Sequence, residues 1–322
     1  MHSLTPSPSP TGEGSRYLQD SLATESLTTP LSPWRGAGGE ALLTLLLRDR
    51  TTGKNIFWAT HDYEQLGSGY QYADEIRPES ITGEHANIVK PRVWKSKEQQ
   101  TDRSKDMAEV FTPSWICDAQ NNLVDEAWRA EQSGTWEDYV RQTVLEITCG
   151  EAPYLVSRYD TTTGDPIPLQ KRIGLLDRKM HTINEHASSP DDWLRWVETA
   201  YQNTYGYEWQ GDNLLLARIN LLVSFLEYYE ERFGQLPSEQ AIRGIAEIIS
   251  WNLWQMDGLR GVVPDSCHST KEISGGLFGD REERIIPCSG CEKDDIRHHN
   301  GIYCNIRDWE SGKDIRFIDL IK

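Results

Sequence analysis

The sequence predicts an α/β fold built on a parallel sheet, and three stretches carry that prediction. Thr143 to Ile147 (T-V-L-E-I) is a short apolar run closed by Thr148-Cys149-Gly150 and followed by Pro153-Tyr154-Leu155, where proline suits the first turn of a helix. Tyr205 to Trp209 reads as a second strand, with a strongly apolar helix running on to about Tyr229. Asn252 to Leu259 reads as a third strand that ends at Asp257-Gly258. Strands that alternate with helical stretches form parallel sheets, because parallel neighbours need a crossover between them.

Composition narrows the class. The 322 residues allow one large domain or two modest ones, and 37 % hydrophobic content is enough for a core. A formal net charge of −17 argues against a general nucleic-acid coat protein, since affinity for phosphate needs clustered Lys and Arg that release counterions. Any DNA contact is therefore local. No run approaches the roughly 18 apolar residues that span a bilayer, and Leu42 to Leu47 is too short and too far in for a secretory signal. The expectation is a soluble, cytoplasmic protein with no membrane contact. Six cysteines, three of them between Cys288 and Cys304, suggest reduced thiols and a metal site rather than a disulfide framework.

In chain order, residues 1–40 are rich in Pro, Ser, Gly and Thr and are expected to be a disordered tail. Residues 41–105 are expected to form a small N-terminal subdomain and basic linker: Leu42 to Arg48 is a short helix or strand, and Asn55 to Thr60 (N-I-F-W-A-T) is a strand. Lys90, Arg92, Lys95, Lys97, Arg103 and Lys105 make a local basic stretch, read either as a phosphate-facing segment or as a solvated linker. Residues 106–260 are expected to be the main α/β unit. Phe111-Thr112-Pro113 precedes a helix over Ser114 to Ala127 with Trp115, Ile116, Leu123 and Val124 on its apolar face, capped by Ser114 or Thr112. Exposed amides at its start would favour an anion. Two helical stretches fill Lys171 to Asn203, and a helix capped by Ser238 runs to Ile249.

Residues 261–310 change character to a polar, Gly-rich insertion with seven Cys or His residues: Cys267, His268, Cys288, Cys291, His298, His299 and Cys304. The C-x-x-C at Cys288 and Cys291 puts two thiolates on one tight turn, as adjacent corners of a tetrahedron require. With Cys304 as the third ligand, Cys267 as the fourth gives a four-Cys zinc site, and His298 or His299 as the fourth gives a three-Cys, one-His site. Residues 311–322 end in a β-type run, Asp314 to Ile321.

Taken together, E-V-F-T-P (Glu109 to Pro113), L-E-I-T-C-G-E-A-P-Y-L (Leu145 to Leu155) and Y-G-Y-E-W-Q-G-D-N-L-L-L-A-R-I-N (Tyr205 to Asn220) resemble the cofactor motifs of restriction-modification DNA adenine methyltransferases, over roughly residues 88 to 321. The resemblance implies a class I, Rossmann-like S-adenosylmethionine methyltransferase fold with a small zinc-type insertion. It implies that Phe111, Thr112 and Pro113 receive the amino-acid end of the cofactor, that Glu146 faces its methionine end, and that Cys149 and Gly150 make the turn beside it. Ala152 stands where the family has a second glycine. Glu208 would hold the ribose diol, with Asp212 the alternate, and Asp257 would accept the adenine amino proton. The Asn/Asp-Pro-Pro-aromatic tetrapeptide that holds a flipped adenine in this family is nowhere in the sequence. The fold is therefore expected to be incomplete at its C-terminal edge, with residues 311–322 as the last strand and no catalytic residue named. Implied partners are double-stranded DNA and a polypeptide carrying the catalytic motif or the nuclease. The alternatives are a non-catalytic cofactor- or DNA-binding subunit and a methyltransferase acting on a non-DNA substrate.

Overall fold

Three parallel strands organise the centre of the molecule. The computed structural model describes residues 37–97, 100, 112–131, 134–274 and 282–321. In chain order its elements are helices α1 (Ala37–Leu47), α2 (Ser114–Glu131) and α3 (Trp136–Arg141), strand β1 (Val144–Glu146), helices α4 (Leu175–His186) and α5 (Pro190–Gln202), strand β2 (Thr204–Glu208), helices α6 (Gly211–Phe233) and α7 (Glu239–Asn252), and strand β3 (Leu253–Gln255). The hairpin β4 (Thr270–Ser274) and β5 (Glu282–Ile286), the short helix α8 (Ser289–Lys293) and the hairpin β6 (Asn305–Asp308) and β7 (Lys313–Arg316) follow. Strands β1, β2 and β3 lie side by side in that order, all parallel, with Val144 opposite Thr204 and Gly206 opposite Leu253.

The helices form where their caps say they should. Ser189 caps α5 by accepting from the Asp192 amide, with Pro190 in the first turn, and Ser238 caps α7 by accepting from Ala241. Helix α6 stops at Gly234, whose φ of 68° is the left-handed cap that glycine adopts without strain. Helices α5, α6 and α7 pack against the sheet. Strand alternation sorts the side chains between two cores. Val144 and Leu253 join the main core with Trp193, Leu214, Ile219 and Ile249, while Tyr207 and Trp254 join Met256, Val263, Cys304 and Ile306 in a second one.

Arg218 ties the layers together. Its guanidinium is fully buried on α6 and donates to the carbonyls of Arg48 (3.1 Å), Leu253 (3.0 Å) and Ser250 (3.3 Å), so one side chain satisfies the ends of α1 and α7. Burial pulls its pKa down to about 10. Two positions on, Asn220 Nδ2 donates to the Glu151 carbonyl at 3.0 Å and holds the loop after β1.

Several sequence expectations change. Asn55 to Thr60 forms no strand: Asn55 and Phe57 make only single bridges, to Arg48 and Glu75. Ile56 and Trp58, with Leu43, Leu46 and Leu47 of α1, are buried in the main core, because α1 packs on α6 and α7. Helix α2 is turned around. Trp115, Leu123 and Val124 are 70, 64 and 39 % exposed, while Cys117, Asn121 and Asp125, one helical turn apart, face inward. The inward side is held by polar bonds: Asn121 donates to the Tyr154 and Ile173 carbonyls, and Asp125 pairs with Arg178. The terminal run does not extend the parallel sheet. The turn around Glu310 to Gly312, closed by Asp308 accepting from the Glu310 and Ser311 amides, sends β7 back antiparallel to β6. The chain then enters a 3-10 turn, Phe317–Leu320. Among the described residues β1 is therefore one edge of the parallel sheet, and Leu145 on it and Ile147 just past it are 43 and 62 % exposed.

Candidate functional site

The carboxyl ends of three adjacent parallel strands bring together three of the expected acids, Glu146 on β1, Glu208 on β2 and Asp257 just past β3. Open α/β sheets bind ligands at this end, where loops diverge and backbone amides are free to turn outward. The loop after β1 is left-handed at Thr148 (φ 46°), Gly150 (φ 54°) and Ala152 (φ 63°). Only the glycine adopts that region without strain. Ala152 is wholly buried and its conformation is held by the bond from its amide to Cys149 O at 2.7 Å.

Each carboxylate already serves the scaffold. Glu208 accepts from the Gly150 amide at 2.8 Å and the Gln210 amide at 3.1 Å, so it pins the β1 loop to the start of α6. Glu146 accepts from the amides of Tyr154 (3.4 Å) and Leu155 (3.2 Å). The residue as a whole keeps some exposure, but its carboxyl is enclosed. Burial pushes that carboxyl well above the ordinary range, the Tyr154 and Leu155 amides oppose the rise, and the charge on Glu208 adds to it. Cys149, buried beside both acids, has its thiol pushed up by burial and by their charge. Asp257 accepts from the amides of Leu259 (3.0 Å) and Arg260 (3.3 Å) and lies 3.4 Å from the Arg260 guanidinium.

Thr112 and Pro113 lead into α2, and Phe111 lies outside the described residues. The start of α2 is not left open for an outside anion, as the sequence suggested, because Asp160 fills it: its Oδ2 accepts from the Ser114 amide (2.9 Å) and hydroxyl (2.6 Å). Burial opposes ionisation of Asp160, but bonds from Ser114 and Thr162 outweigh it and hold the carboxyl well below its usual value. The basic stretch also turns partly inward. Lys95 is buried in an ion pair with Asp212 at 2.9 Å, and Tyr63 OH donates to the same carboxylate at 2.8 Å. Arg92 is buried too, its amide donating to Glu151 at 2.6 Å. These two cations face the protein, and Asp212, the alternate ribose ligand, is the counter-charge of one of them. Arg103 and Lys105 lie outside the described residues.

The second constellation is a cluster of Cys267, Cys288, Cys291 and His299, whose ligand atoms all lie within 4.8 Å of one another. Nδ1 of His299 is 3.5 Å from Cys267 Sγ, 3.7 Å from Cys288 Sγ and 3.5 Å from Cys291 Sγ. A tetrahedral ion with metal–sulfur bonds of about 2.3 Å and metal–nitrogen bonds of about 2.05 Å sets such atoms roughly 3.5 to 3.6 Å apart. The cluster can hold a metal ion such as zinc. Cys304 is not part of it: that residue is wholly buried in the second core, where its thiol points at the Gln255 carbonyl, 3.4 Å away. His299 takes the corner that the four-Cys reading gave to Cys304, and His298 instead pairs with Asp295 at 2.8 Å. Gly290, inside the C-x-x-C, must be glycine, since a Cβ there would sit 2.6 Å from the His299 amide nitrogen. Burial opposes ionisation of Cys288, but the Asn300 and Cys291 amides and the His299 ring outweigh it and bring the thiol down to about 6. Burial, with the thiols of Cys291 and Cys288 beside it, pushes Cys267 up to about 12.

The residues define an α/β protein with a three-stranded parallel sheet, three acids at or just past its strand ends and a three-Cys, one-His cluster suited to a metal ion. Comparison with protein-family models, with curated proteins and with solved structures finds no match to the chain. No described helix is long and apolar enough to cross a membrane. The sequence did carry a signal for His299: it follows Cys291 by eight positions and stands beside Gly301, whose missing Cβ leaves room for Cys267.

Proposed function

We propose that the chain is the cofactor-binding part of an S-adenosylmethionine-dependent DNA adenine methyltransferase of the restriction-modification kind, with a class I, Rossmann-like core and a structural zinc. The observation that carries the reading is the placement of Glu146, Glu208 and Asp257 at the ends of three neighbouring parallel strands, in the order in which the resembled family uses its acids. The acids suit a nucleoside with a charged amino-acid tail: Glu208 would take the ribose diol, Asp257 an exocyclic amine, and Glu146, beside a loop that is left-handed at Gly150, the cationic end. Bound S-adenosylmethionine would supply an activated methyl group. The chain's own part is to bind and orient, with Gly150 positioned through Glu208.

The adenine amine is a poor nucleophile, because its lone pair is delocalised into the ring, and positioned acceptors must raise its reactivity. The sequence holds no Asn/Asp-Pro-Pro-aromatic segment to supply them, so the reading assigns methyl transfer to a complex with a partner polypeptide and double-stranded DNA. That same feature favours a second reading, a cofactor- or DNA-binding subunit without catalysis. Calorimetric titration with S-adenosylmethionine tests the shared part: binding in the millimolar range or tighter that Glu208→Ala abolishes supports it, and no heat at millimolar ligand overturns it. Tritium-labelled cofactor with mixed-sequence duplex DNA is expected to give background counts with this chain alone. Incorporation that Asp257→Ala removes would place catalysis in the chain itself.

A further inference from the structure

We propose that a metal ion held by Cys267, Cys288, Cys291 and His299 is a clamp that fixes the turn after β3, and with it the position of Asp257. The inference rests on the metal reading of that cluster. The two are joined by a continuous hydrogen-bonded ladder. Asp257 N donates to Val262 O at 2.8 Å, Val262 bridges in turn to Tyr303, Val263 N donates to Ile302 O at 2.8 Å, and Cys304 N donates to Gly261 O at 3.1 Å.

The ligands sit at the open end of this ladder. Cys267 lies four residues after Val263, and His299 lies three residues before Ile302. Between the ladder and the ligands, Ser266 Oγ accepts from the Ile302 amide at 3.0 Å, His268 N donates to Asn300 Oδ1 at 3.1 Å, and Asn300 Nδ2 donates back to His268 O at 2.6 Å. His299 N donates to Tyr303 OH at 2.9 Å, and Asn300 N to Cys288 Sγ at 3.2 Å. The two rails are separated by 38 residues of chain, counting from Val263 to Ile302 exclusively, which include the β4–β5 hairpin. Closing a loop of that length costs conformational entropy that a few exposed hydrogen bonds offset poorly. Four protein ligands fill a tetrahedron and leave no position for substrate, so the ion's contribution is to folding, as in other closed sites. The strand before the ladder is held by the sheet itself, because Met256 N donates to Glu208 O at 3.0 Å. Loss of the ion should therefore loosen the ladder from its ligand end toward Asp257 and leave β1 and β2 in place.

The test is hydrogen exchange on the full chain, zinc-loaded and after chelation, with zinc measured by elemental analysis in both samples. The amides of Asp257, Val263 and Cys304 should exchange at least tenfold faster without zinc and recover on its return, while those of Cys149 and Gly150 at the other strand end stay unchanged. His299→Ala in zinc-containing buffer should reproduce the pattern; if that variant fails to fold, the chelation arm decides. Protein that carries no zinc when purified without chelator removes the metal reading and the clamp together. Zinc that leaves without accelerating Asp257, Val263 and Cys304 overturns the clamp alone, as does equal acceleration at Cys149 and Gly150, which marks general unfolding.

Discussion

The crevice at the strand ends and the Cys/His cluster solve opposite problems. In the crevice, like charges are kept apart by giving each carboxylate two backbone amides of its own, so that Glu146, Glu208 and Asp257 hold loops whether or not a ligand is present. In the cluster, four ligand atoms crowd within 4.8 Å of one another. A self-satisfied site tolerates the loss of its ligand; a crowded set of donors is stable only around a cation. The crevice should thus respond weakly to single changes and the cluster strongly.

The largest effect should come from the cluster. A structural zinc contributes about 10–16 kcal/mol of apparent binding free energy at neutral pH, so His299→Ala should lower zinc affinity by well over 100-fold, read by competition with a colorimetric chelator. Retention of wild-type affinity would dissolve the contrast. Next comes the scaffold shared by both regions. Arg218→Met leaves buried carbonyls of Leu253 and Ser250 without a donor and should cost about 3–5 kcal/mol in urea unfolding. A loss below about 1 kcal/mol would mean that the helix ends find other partners. Third, Cys304→Ser separates the ligand sets offered by the sequence, both of which include Cys304, from the Cys267, Cys288, Cys291 and His299 cluster. Zinc content should be unchanged, with a stability cost of about 1–3 kcal/mol for placing a hydroxyl in an apolar core; loss of the metal would restore Cys304 as a ligand.

How much of this was legible depended on the range of the interactions involved. Strands β1 to β3 and helix α7 were readable because apolar runs, turn residues and the Ser238 cap are local signals. The inversion of α2 was not, since Asn121 and Asp125 turn inward toward acceptors and donors 33 to 53 residues away, at Tyr154, Ile173 and Arg178. Nor was the burial of Lys95, whose partner Asp212 is 117 residues on. The cluster was half legible: the C-x-x-C fixes two corners, but Cys267, His298, His299 and Cys304 compete for the others, and counting cysteines favoured Cys304 over His299. Glu146, Glu208 and Asp257 stand at or just past the ends of the strands that local pattern picks out, yet nothing local shows that each is already engaged by backbone amides.

The smallest expected effect tests that engagement directly. Burial raises the folded-state pKa of Glu146 above its unfolded value of roughly 4.3. A carboxyl raised on folding binds a proton more tightly in the native state, so its contribution to stability is fully present below the unfolded pKa and is lost as pH rises toward the folded one. Above about pH 4.3 the wild-type protein therefore carries a growing penalty at this position as pH climbs through the mildly acidic range. Glu146→Gln keeps the shape and cannot ionise, so it abolishes the penalty while weakening one of the two amide contacts from Tyr154 and Leu155. The two changes act in opposite directions at neutral pH. What separates them is the slope: urea midpoints between pH 5 and 7.5 should fall less steeply with rising pH in the variant than in the wild type. Parallel slopes would mean that Glu146 titrates normally, and that the crevice is open to water before any ligand arrives.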